Sequence, residues 1–246
     1  MNKIIAVIPA RGGSKTIPRK NLQLILGVPL VAYSIFLARQ LDFVSRVIVS
    51  TDDSEIAKVS RDYGAEVVNR SKDISQDLSR DDLIFSELIE IDSSIDIKDL
   101  VIFLRPTHPI RNPNIVSDAF KTYMDNSNSY DSLRSMKLSN EIIFKTWCID
   151  ESGYAKPAFN PGIVQINDPA NAPRQILPKT YYQDGYVDVF PFSNVMDFGN
   201  TTGSKILPYV INEFSQDIDN FTELEKVEEY ISGKNKPSWF VPPKIK

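Results

Sequence analysis

The stretch IIAVIPARGGSKTIPRKNL, residues 4–22, carries the first information about the fold. Its apolar opening is typical of a strand covered on both faces, and Pro9 ends the run because proline lacks a backbone N–H. Gly12 and Gly13 follow at once. Glycine lets the backbone adopt conformations closed to other residues and approach a ligand closely. The stretch therefore predicts a buried strand followed by a ligand-binding turn.

Four cations lie in this turn: Arg11, Lys15, Arg19 and Lys20. They come directly after the first strand, where open α/β sheets bind their ligands, and their density suits a polyphosphate. The turn lacks both the G-x-x-x-x-G-K-[ST] spacing of a Walker A loop and the G-x-G-x-x-G spacing of a dinucleotide fingerprint. We interpret it as a phosphate-binding loop of another kind, and a solvated basic loop is the alternative.

The composition restricts the class of partner. The chain of 246 residues has a net charge of −4 and a pI near 5.2, so its local cations suit a small anion better than a nucleic acid. The single cysteine, Cys148, excludes an intramolecular disulfide and fits a reducing cytoplasm. No apolar run is long enough for a signal peptide or a membrane span. We expect a cytoplasmic protein with no nucleic-acid or membrane partner.

Strand and helix patterns alternate after the turn. They predict a helix over 30–41, a strand over 46–50, a helix over 54–63 and a strand over 65–68. A capping box of Asp52 and Glu55 is expected to open the second helix. This β-α-β-α-β order predicts an α/β fold with a Rossmann-like, mostly parallel sheet flanked by helices, in a single domain over 1–246.

Two blocks of the opening stretch resemble the N-terminal signature of the CMP-sialic acid synthetase-like (acylneuraminate) cytidylyltransferases. They are Pro9-Ala10-Arg11-Gly12-Gly13-Ser14-Lys15 and Pro18-Arg19-Lys20-Asn21-Leu22. The resemblance implies a nucleotidyltransferase in which Arg11 and Lys20 are catalytic at the phosphates. It also implies a set of nucleotide-binding positions: Ala10, Gly12, Gly13, Asn21, Arg70 and Ser79. Ser79 is in addition a natural N-cap for the helix that follows it.

A second block, RPTHPIR over residues 105–111, follows a buried strand. The resembled family has a Gln- or Arg-Pro-Thr-Ser-Pro stretch here, and this chain has His108 in place of the serine. Arg105 and Arg111 are expected to bind the acceptor sugar, because they charge a loop at the carboxyl end of a strand. His108, the only histidine, is expected to be a loop residue rather than a catalytic base.

Prolines and a glycine interrupt every regular pattern over residues 139–179, which predicts an excursion from the sheet. In the resembled family this region forms a dimerisation element, so the resemblance implies a homodimer; a long lid is the alternative. The chain then reaches Gln183 and Asp184, and Asp184 occupies a position where the family has asparagine. Both residues are candidate sugar contacts together with the tyrosines beside them, although burial in a strand is the commoner explanation for such tyrosines.

The last block contains Asp217 and Asp219, two residues apart in a segment expected to be extended, so that both carboxylates point to one side. One or two carboxylates completed by water and phosphate oxygens suit Mg²⁺. Two solvated acids before a helix are the alternative. Thr222 and Glu225 are expected to form the capping box of that helix. In the resembled family an Asp-x-Asp before a helix is the metal site.

The resemblance implies transfer of CMP from CTP to the anomeric hydroxyl of a sialic acid-like keto-deoxy sugar, with release of pyrophosphate. Two alternatives remain open: a nucleotidyltransferase with a sugar 1-phosphate acceptor, and a non-catalytic nucleotide-binding homologue. The enzyme interpretation requires that the first turn and the late acidic pair meet at one triphosphate. Substrates in the first case are CTP and an acidic sugar, with Mg²⁺ as cofactor.

Overall fold

The structure is a computed structural model that describes residues 2–71, 74, 80–159, 164–166, 168–234 and 236–245. Its helices are α1 (Leu30–Arg39), α2 (Ser54–Asp62), α3 (Asp82–Ile91), α4 (Pro113–Asn126), α5 (Ser193–Phe198) and α6 (Phe221–Ser232). Its strands are β1 (Ile4–Pro9), β2 (Leu24–Ile25), β3 (Val28–Pro29), β4 (Arg46–Thr51), β5 (Glu66–Asn69), β6 (Leu100–Phe103), β7 (Ser132–Leu138), β8 (Trp147–Ile149), β9 (Ala155–Pro157), β10 (Tyr181–Pro191) and β11 (Ile206–Val210). The chain divides into two compact units, Met1–Ser135 with Asp184–Lys246, and Met136–Gln183.

One sheet of seven strands organises the fold, in the order β11-β7-β10-β6-β1-β4-β5. Strand β1 lies inside the sheet and runs parallel to both of its neighbours, β4 and β6, and β4 runs parallel to β5. Strand β10 pairs with β6 in the antiparallel sense. The predicted mostly parallel sheet is therefore confirmed, and the antiparallel β10 is an addition that the alternating pattern did not predict.

The side chains of β1 alternate between two hydrophobic clusters. Ala6 and Ile8 join the cluster that contains α1 and α4, whereas Ile5 and Val7 join the cluster that contains Phe85 of α3. All four β1 residues are fully buried. A strand covered on both faces cannot alternate polar with apolar residues, which explains the continuous apolar run in the sequence.

Two helix starts differ from the predicted capping boxes. Asp53, not Asp52, caps α2, and its Oδ1 accepts from the backbone N–H groups of Glu55 and Ile56 at 2.8 and 2.9 Å. Asn220 caps α6 in a capping box with Glu223. The predictions for both caps were wrong by one or two residues, although both helices form.

The second unit contains the hairpin of β8 and β9 and a small hydrophobic cluster of Phe144, Ala172 and Leu177. Its limits, 136 and 183, lie within a few residues of the excursion expected over 139–179. The hairpin region exposes large apolar side chains, with Ile149 at 76% and Tyr154 at 71% of full exposure. Among the helices within the described ranges, none has the length and apolar character needed to cross a membrane.

Candidate active site

A cavity of about 280 Å³ lies in the first unit, where β1, β5 and β6 end. Its lining includes Pro9 from β1, Arg70 from the end of β5, and Arg105 to Thr107 after β6. The full set is Pro9, Arg11, Gly13, Ser14, Lys20, Asn21, Arg70, Ile74, Arg80, Asp81, Ile84, Arg105, Pro106 and Thr107. Ligands bind at the carboxyl ends of parallel strands in folds of this kind, so the cavity is the candidate active site.

The loop after β1 is tied by its own side chains. Asn21 is buried and its Nδ2 donates to the carbonyl oxygen of Arg11 at 2.8 Å, which closes the loop. Arg19 adopts a left-handed conformation with φ 54°, and a short 3-10 turn, Lys20–Leu22, follows it. This turn brings Lys20 and Asn21 to the cavity wall.

The backbone of the two glycines differs from the prediction. Neither Gly12 nor Gly13 has a φ between +20° and +160°, so the expected special backbone conformation at these positions was wrong. A Cβ added to Gly12 would lie 2.8 Å from the Cβ of Asp53, and the Gly12 N–H donates to Asp52 Oδ1 at 2.8 Å. Glycine is needed at position 12 because this loop packs closely against the start of α2.

Lys20 joins the first loop to the late acidic segment. Its Nζ lies 2.9 Å from Asp219 Oδ1 and donates to the carbonyl oxygen of Ile218 at 3.1 Å. The Lys20 side chain is only 14% exposed, whereas that of Asp219 is 69% exposed. The two segments that the sequence placed on one triphosphate are thus in direct contact.

Asp217 is partly buried beside this ion pair. Its Oδ1 is removed from solvent and has no hydrogen-bond partner among the residues that the structure describes. Burial raises the pKa of the Asp217 carboxyl, the nearby charge of Asp219 adds to the rise, and a hydrogen bond from Thr107 opposes it. An unpaired buried carboxylate oxygen is costly in isolation and suits a site that receives a cation.

The side chains near Asp217 are too few to surround a cation with protein ligands alone, and they suit the partly hydrated coordination of Mg²⁺. No group of three or more His, Cys, Asp or Glu side chains that could hold a metal occurs within the described part of the chain. A cation bound by Asp217 and Asp219 would take its other ligands from water and phosphate oxygens, which is the coordination that Mg²⁺ prefers.

Two arginines that line the cavity are held in position by bonds to neighbouring side chains. Arg70 is buried and donates from Nε to Ser50 Oγ at 3.1 Å, and burial lowers its pKa. Burial acts in the same direction on the pKa of Arg105, but Asp188 at 3.1 Å and Asp81 at 2.8 Å outweigh it and leave that pKa raised. Both guanidinium groups remain charged at neutral pH.

Arg111 does not line the cavity. Its guanidinium donates into the interior, to Arg105 O at 2.7 Å, to Ser34 Oγ at 3.1 Å, and to the carbonyl oxygens of Gly185 and Tyr186. Burial lowers its pKa to about 10. Arg111 therefore connects the 105–111 loop to β10 in the structure, where the sequence had suggested a sugar contact.

Six other expected site residues are not among those that line the cavity: Ala10, Gly12, Gln183, Asp184, Asp217 and Asp219. Asp184 is buried, and its carboxylate accepts hydrogen bonds from Ser135, Ser215 and the backbone of Tyr186. Gln183 belongs to the second unit and is exposed. Ala10 is fully buried and donates its N–H to the carbonyl oxygen of Ser50.

Ser79 is outside the described residues, and the two residues after it are site residues that sequence reasoning missed. Arg80 and Asp81 line the cavity at the start of α3. Arg80 pairs with Asp82 at 2.7 Å, and Asp81 pairs with Arg105. They belong to the same helix-start pattern as Ser79, so the signal for them was present in the sequence.

The chain is similar to known cytidylyltransferases. The profile of the family described as cytidylyltransferase matches residues 5–149. A CMP-N,N'-diacetyllegionaminic acid synthase from Legionella pneumophila is 30% identical over 231 residues, which cover 91% of this chain and 93% of that protein. A pseudaminic acid cytidylyltransferase from Campylobacter jejuni is 39% identical over 130 residues, and this match spans 52% of this chain and 56% of that protein.

Solved structures support the fold. A CMP:2-keto-3-deoxy-manno-octonic acid synthetase, solved in complex with CTP, has a TM-score of 0.66 at 18% identity, and the match covers 94% of this chain and 99% of that one. A 4-diphosphocytidyl-2C-methyl-D-erythritol synthase from Anaerococcus prevotii has a TM-score of 0.60 at 12% identity, with the same coverage.

Proposed function

Because this chain belongs to the cytidylyltransferase family, we propose that it transfers CMP from CTP to the anomeric hydroxyl of a sialic acid-like keto-deoxy sugar and releases pyrophosphate. The contact between Lys20 and Asp219 beside the cavity carries the proposal. It supports a single site in which loop cations and acidic ligands act on one triphosphate.

The chain's residues act by placement and by neutralisation of charge. In nucleotidyl transfer of this kind, the sugar hydroxyl attacks the α-phosphate and pyrophosphate leaves, so no covalent nucleophile is needed from the protein. Arg11 and Lys20 offset the negative charge of the phosphates. Gly12 already donates its N–H to Asp52, so a backbone contribution from the glycine pair falls to Gly13, which lines the cavity. Asn21 keeps the loop closed.

Asp217 and Asp219 are the proposed ligands of Mg²⁺. When bound, Mg²⁺ would neutralise phosphate charge and orient the triphosphate. Asp219 pairs with Lys20, so a cation on Asp219 and a phosphate on Lys20 would each replace one half of that pair. The unpaired Oδ1 of Asp217 supports the same assignment.

Arg105 is the proposed contact for an acidic acceptor. Its side chain lines the cavity and is held between Asp81 and Asp188. Two carboxylates around one arginine fix its position and preserve its charge. Arg70 and Arg80 line the same cavity, at the end of β5 and the start of α3, and are proposed to contact the nucleotide.

The second unit is the proposed dimerisation element, and the working protein is a homodimer in the cytoplasm, where CTP is available. The exposed apolar side chains around the β8–β9 hairpin support an interface on this unit. A second copy of the chain is the proposed occupant because the resembled family pairs through this region.

The proposed reaction is tested by pyrophosphate release with a panel of CTP, UTP, GTP and ATP against keto-deoxy sugar acids and sugar 1-phosphates. We expect release with CTP and a sugar acid, and a requirement for Mg²⁺. Release that occurs only with a sugar 1-phosphate would favour the other transferase class. Nucleotide binding without release from any acceptor would favour a non-catalytic homologue.

A further inference from the structure

Three hydrogen-bonded polar residues, one of them just before the acidic segment, have no part in the proposed catalytic roles. Ser215 Oγ lies 2.8 Å from Asp184 Oδ2 and 2.7 Å from His108 Nε2. Asp184 and His108 are 5% and 1% exposed. We call these three residues the Ser215 clamp. They connect β10, the loop after β6 and the segment that precedes α6.

The hydrogen bonds of the clamp have a defined direction. A carboxylate can only accept, so the single proton of the Ser215 hydroxyl is donated to Asp184. The Ser215 oxygen must then accept from His108, which requires a proton on Nε2. Asp184 also accepts from the Ser135 hydroxyl at 2.6 Å and the Tyr186 N–H at 3.1 Å. Three donors therefore fix the buried carboxylate that anchors the clamp.

We propose that the Ser215 clamp positions Asp217 for cation binding; this inference rests on the proposed function and assigns Asp184 to positioning rather than to the sugar. The three residues are positioning residues rather than catalytic residues, because their side chains bond to one another and none of them is a proposed ligand of the metal or the phosphates. Their effect passes through the backbone from Ser215 to Asp217, which is two residues further along the chain.

The backbone around Asp217 is held on both sides. On one side the clamp fixes Ser215, and on the other the N–H of Ile218 donates to the carbonyl oxygen of Thr107 at 2.8 Å. Thr107 is adjacent to His108, so both anchors lead to the same loop. This arrangement holds the unpaired Oδ1 of Asp217 in place. If the segment were mobile, that oxygen would turn toward water, because an unpaired buried oxygen is costly.

The first test compares Mn²⁺ binding to the wild-type chain and to Ser215→Ala by electron paramagnetic resonance, with the metal alone and with Mn²⁺ plus CTP. We expect the Kd for Mn²⁺ to rise by about 10-fold, the lower end of the effect seen when supports of metal ligands are removed. The Kd for CTP in EDTA should stay within about twofold, since the clamp does not contact the cavity, and Ser215→Thr should restore Mn²⁺ binding.

Ser94→Ala is the matched control, because Ser94 Oγ also donates to an aspartate, Asp92, at 2.7 Å. This pair lies in the loop before β6, whereas His108 of the clamp lies in the loop after β6. We expect wild-type Mn²⁺ binding in this control. Unchanged Mn²⁺ binding in folded Ser215→Ala, or an equal loss in Ser94→Ala, would overturn the proposal. If CTP is not a substrate, the measurement with Mn²⁺ alone still decides the clamp, so the two failures are distinguishable.

The second test does not depend on a variant. His108 is the only histidine, so ¹⁵N nuclear magnetic resonance of the untagged wild-type protein reports on one imidazole. We expect a protonated Nε2 that is hydrogen-bonded. An unprotonated Nε2 in the wild-type protein would reverse the direction of the clamp and overturn the proposal, even if Ser215→Ala fails to fold.

Discussion

Lys20 and Asp219 are 199 positions apart in the sequence and form an ion pair of 2.9 Å in the structure. An ion pair with one exposed partner contributes at most about 1 kcal/mol to stability, so this contact matters for where it places charge. Lys20 also donates to the carbonyl oxygen of Ile218, so the side chain that we propose for phosphate binding also helps to fix the position of the acidic segment.

Lys20→Ala should lower kcat by about 10²–10³-fold, the usual effect of removing one group that stabilises developing charge, and should leave the Tm within a few degrees. Initial rates of pyrophosphate release and differential scanning calorimetry measure the two quantities. Lys121→Ala, an exposed lysine of α4, is the control and should change neither. Near-normal turnover in Lys20→Ala would remove the phosphate assignment.

Gly12→Ala should destabilise the fold, because the new Cβ would meet Asp53, the N-cap of α2. Loss of a cap costs about 1 kcal/mol, which corresponds to a fall in Tm of about 2–4 °C in a chain of this size. Gly13→Ala is the matched control, since a Cβ added at this glycine would have no described atom within 4 Å, and its Tm should not fall. Equal Tm values for the two variants would contradict the close contact with Asp53.

Asp217→Asn should raise the Tm at pH 7. The pKa of the Asp217 carboxyl is raised by burial in the folded state, so ionisation at neutral pH destabilises the fold relative to the unfolded chain. Asparagine resembles the protonated form and avoids this cost. The gain should disappear as the pH falls below the ordinary carboxyl pKa, where both states of the wild-type chain are protonated.

Thermal melts from pH 3 to 8 measure this difference, and Asp219→Asn serves as the comparison. Asp219 is exposed and paired with Lys20, so its replacement should give no gain in Tm. Both variants should weaken Mg²⁺ binding, which separates the effect on stability from the effect on function. A lower Tm for Asp217→Asn at pH 7 would show that the carboxylate is stabilised rather than strained.

At the scale of elements, the start of α6 is chosen by tertiary contacts. Two overlapping boxes satisfy the local pattern, one beginning at Thr222 and one at Asn220. Ile218 is fully buried and donates its N–H to Thr107, so the chain is fixed in a non-helical form just before Asn220. The helix therefore begins as soon as that constraint ends. Asp52 similarly bonds to Gly12, which leaves the cap of α2 to Asp53.

Asn220→Ala should lower the stability of the first unit by about 1 kcal/mol, because it removes the side chain that accepts from the Glu223 N–H at 3.0 Å. Chemical denaturation followed by circular dichroism measures the free energy of unfolding. Thr222→Ala is the control at the position that the sequence favoured, and it should be close to neutral. The reverse order of effects would restore the sequence-based cap.

At the scale of the whole molecule, the chain combines a nucleotide-binding sheet with a separate small unit. The second unit has a hydrophobic cluster of a few residues and exposes Trp147, Ile149 and Tyr154. Exposed apolar side chains that lie close together are a mark of interaction surfaces. A second copy of the chain is the partner we propose for them.

Ile149→Lys should shift the oligomeric state from dimer to monomer, because a charge would be buried in an apolar interface. Size-exclusion chromatography with light scattering should give twice the 27.8 kDa chain mass for the wild-type protein and the single mass for the variant. Met196→Lys is the control, since Met196 is 63% exposed in the first unit. A wild-type monomer would exclude the homodimer and favour the lid alternative.

The part of this protein that could be predicted without coordinates is the part encoded by local pattern. The apolar run of β1 identified a sheet covered on both faces, and the blocks around Lys20 identified the family. The metal site proposed at the late aspartates is likewise a prediction from local pattern, because two acids directly before a helix form a local arrangement. In each case the physical cause, whether burial, charge density or chain geometry, acts within a few neighbouring residues.

The features that could not be predicted from the sequence depend on long-range packing. Arg111 and Asp184 carry charges that suggested substrate contacts, yet their donors and acceptors are satisfied by interior groups from distant segments. A charged side chain bonds to whatever the folded chain brings nearest, and local sequence does not contain that neighbour. The family and the mostly parallel sheet could therefore be predicted from residue order. The helix caps, the interior position of Arg111 and the Ser215 clamp depended on contacts between residues far apart in the chain.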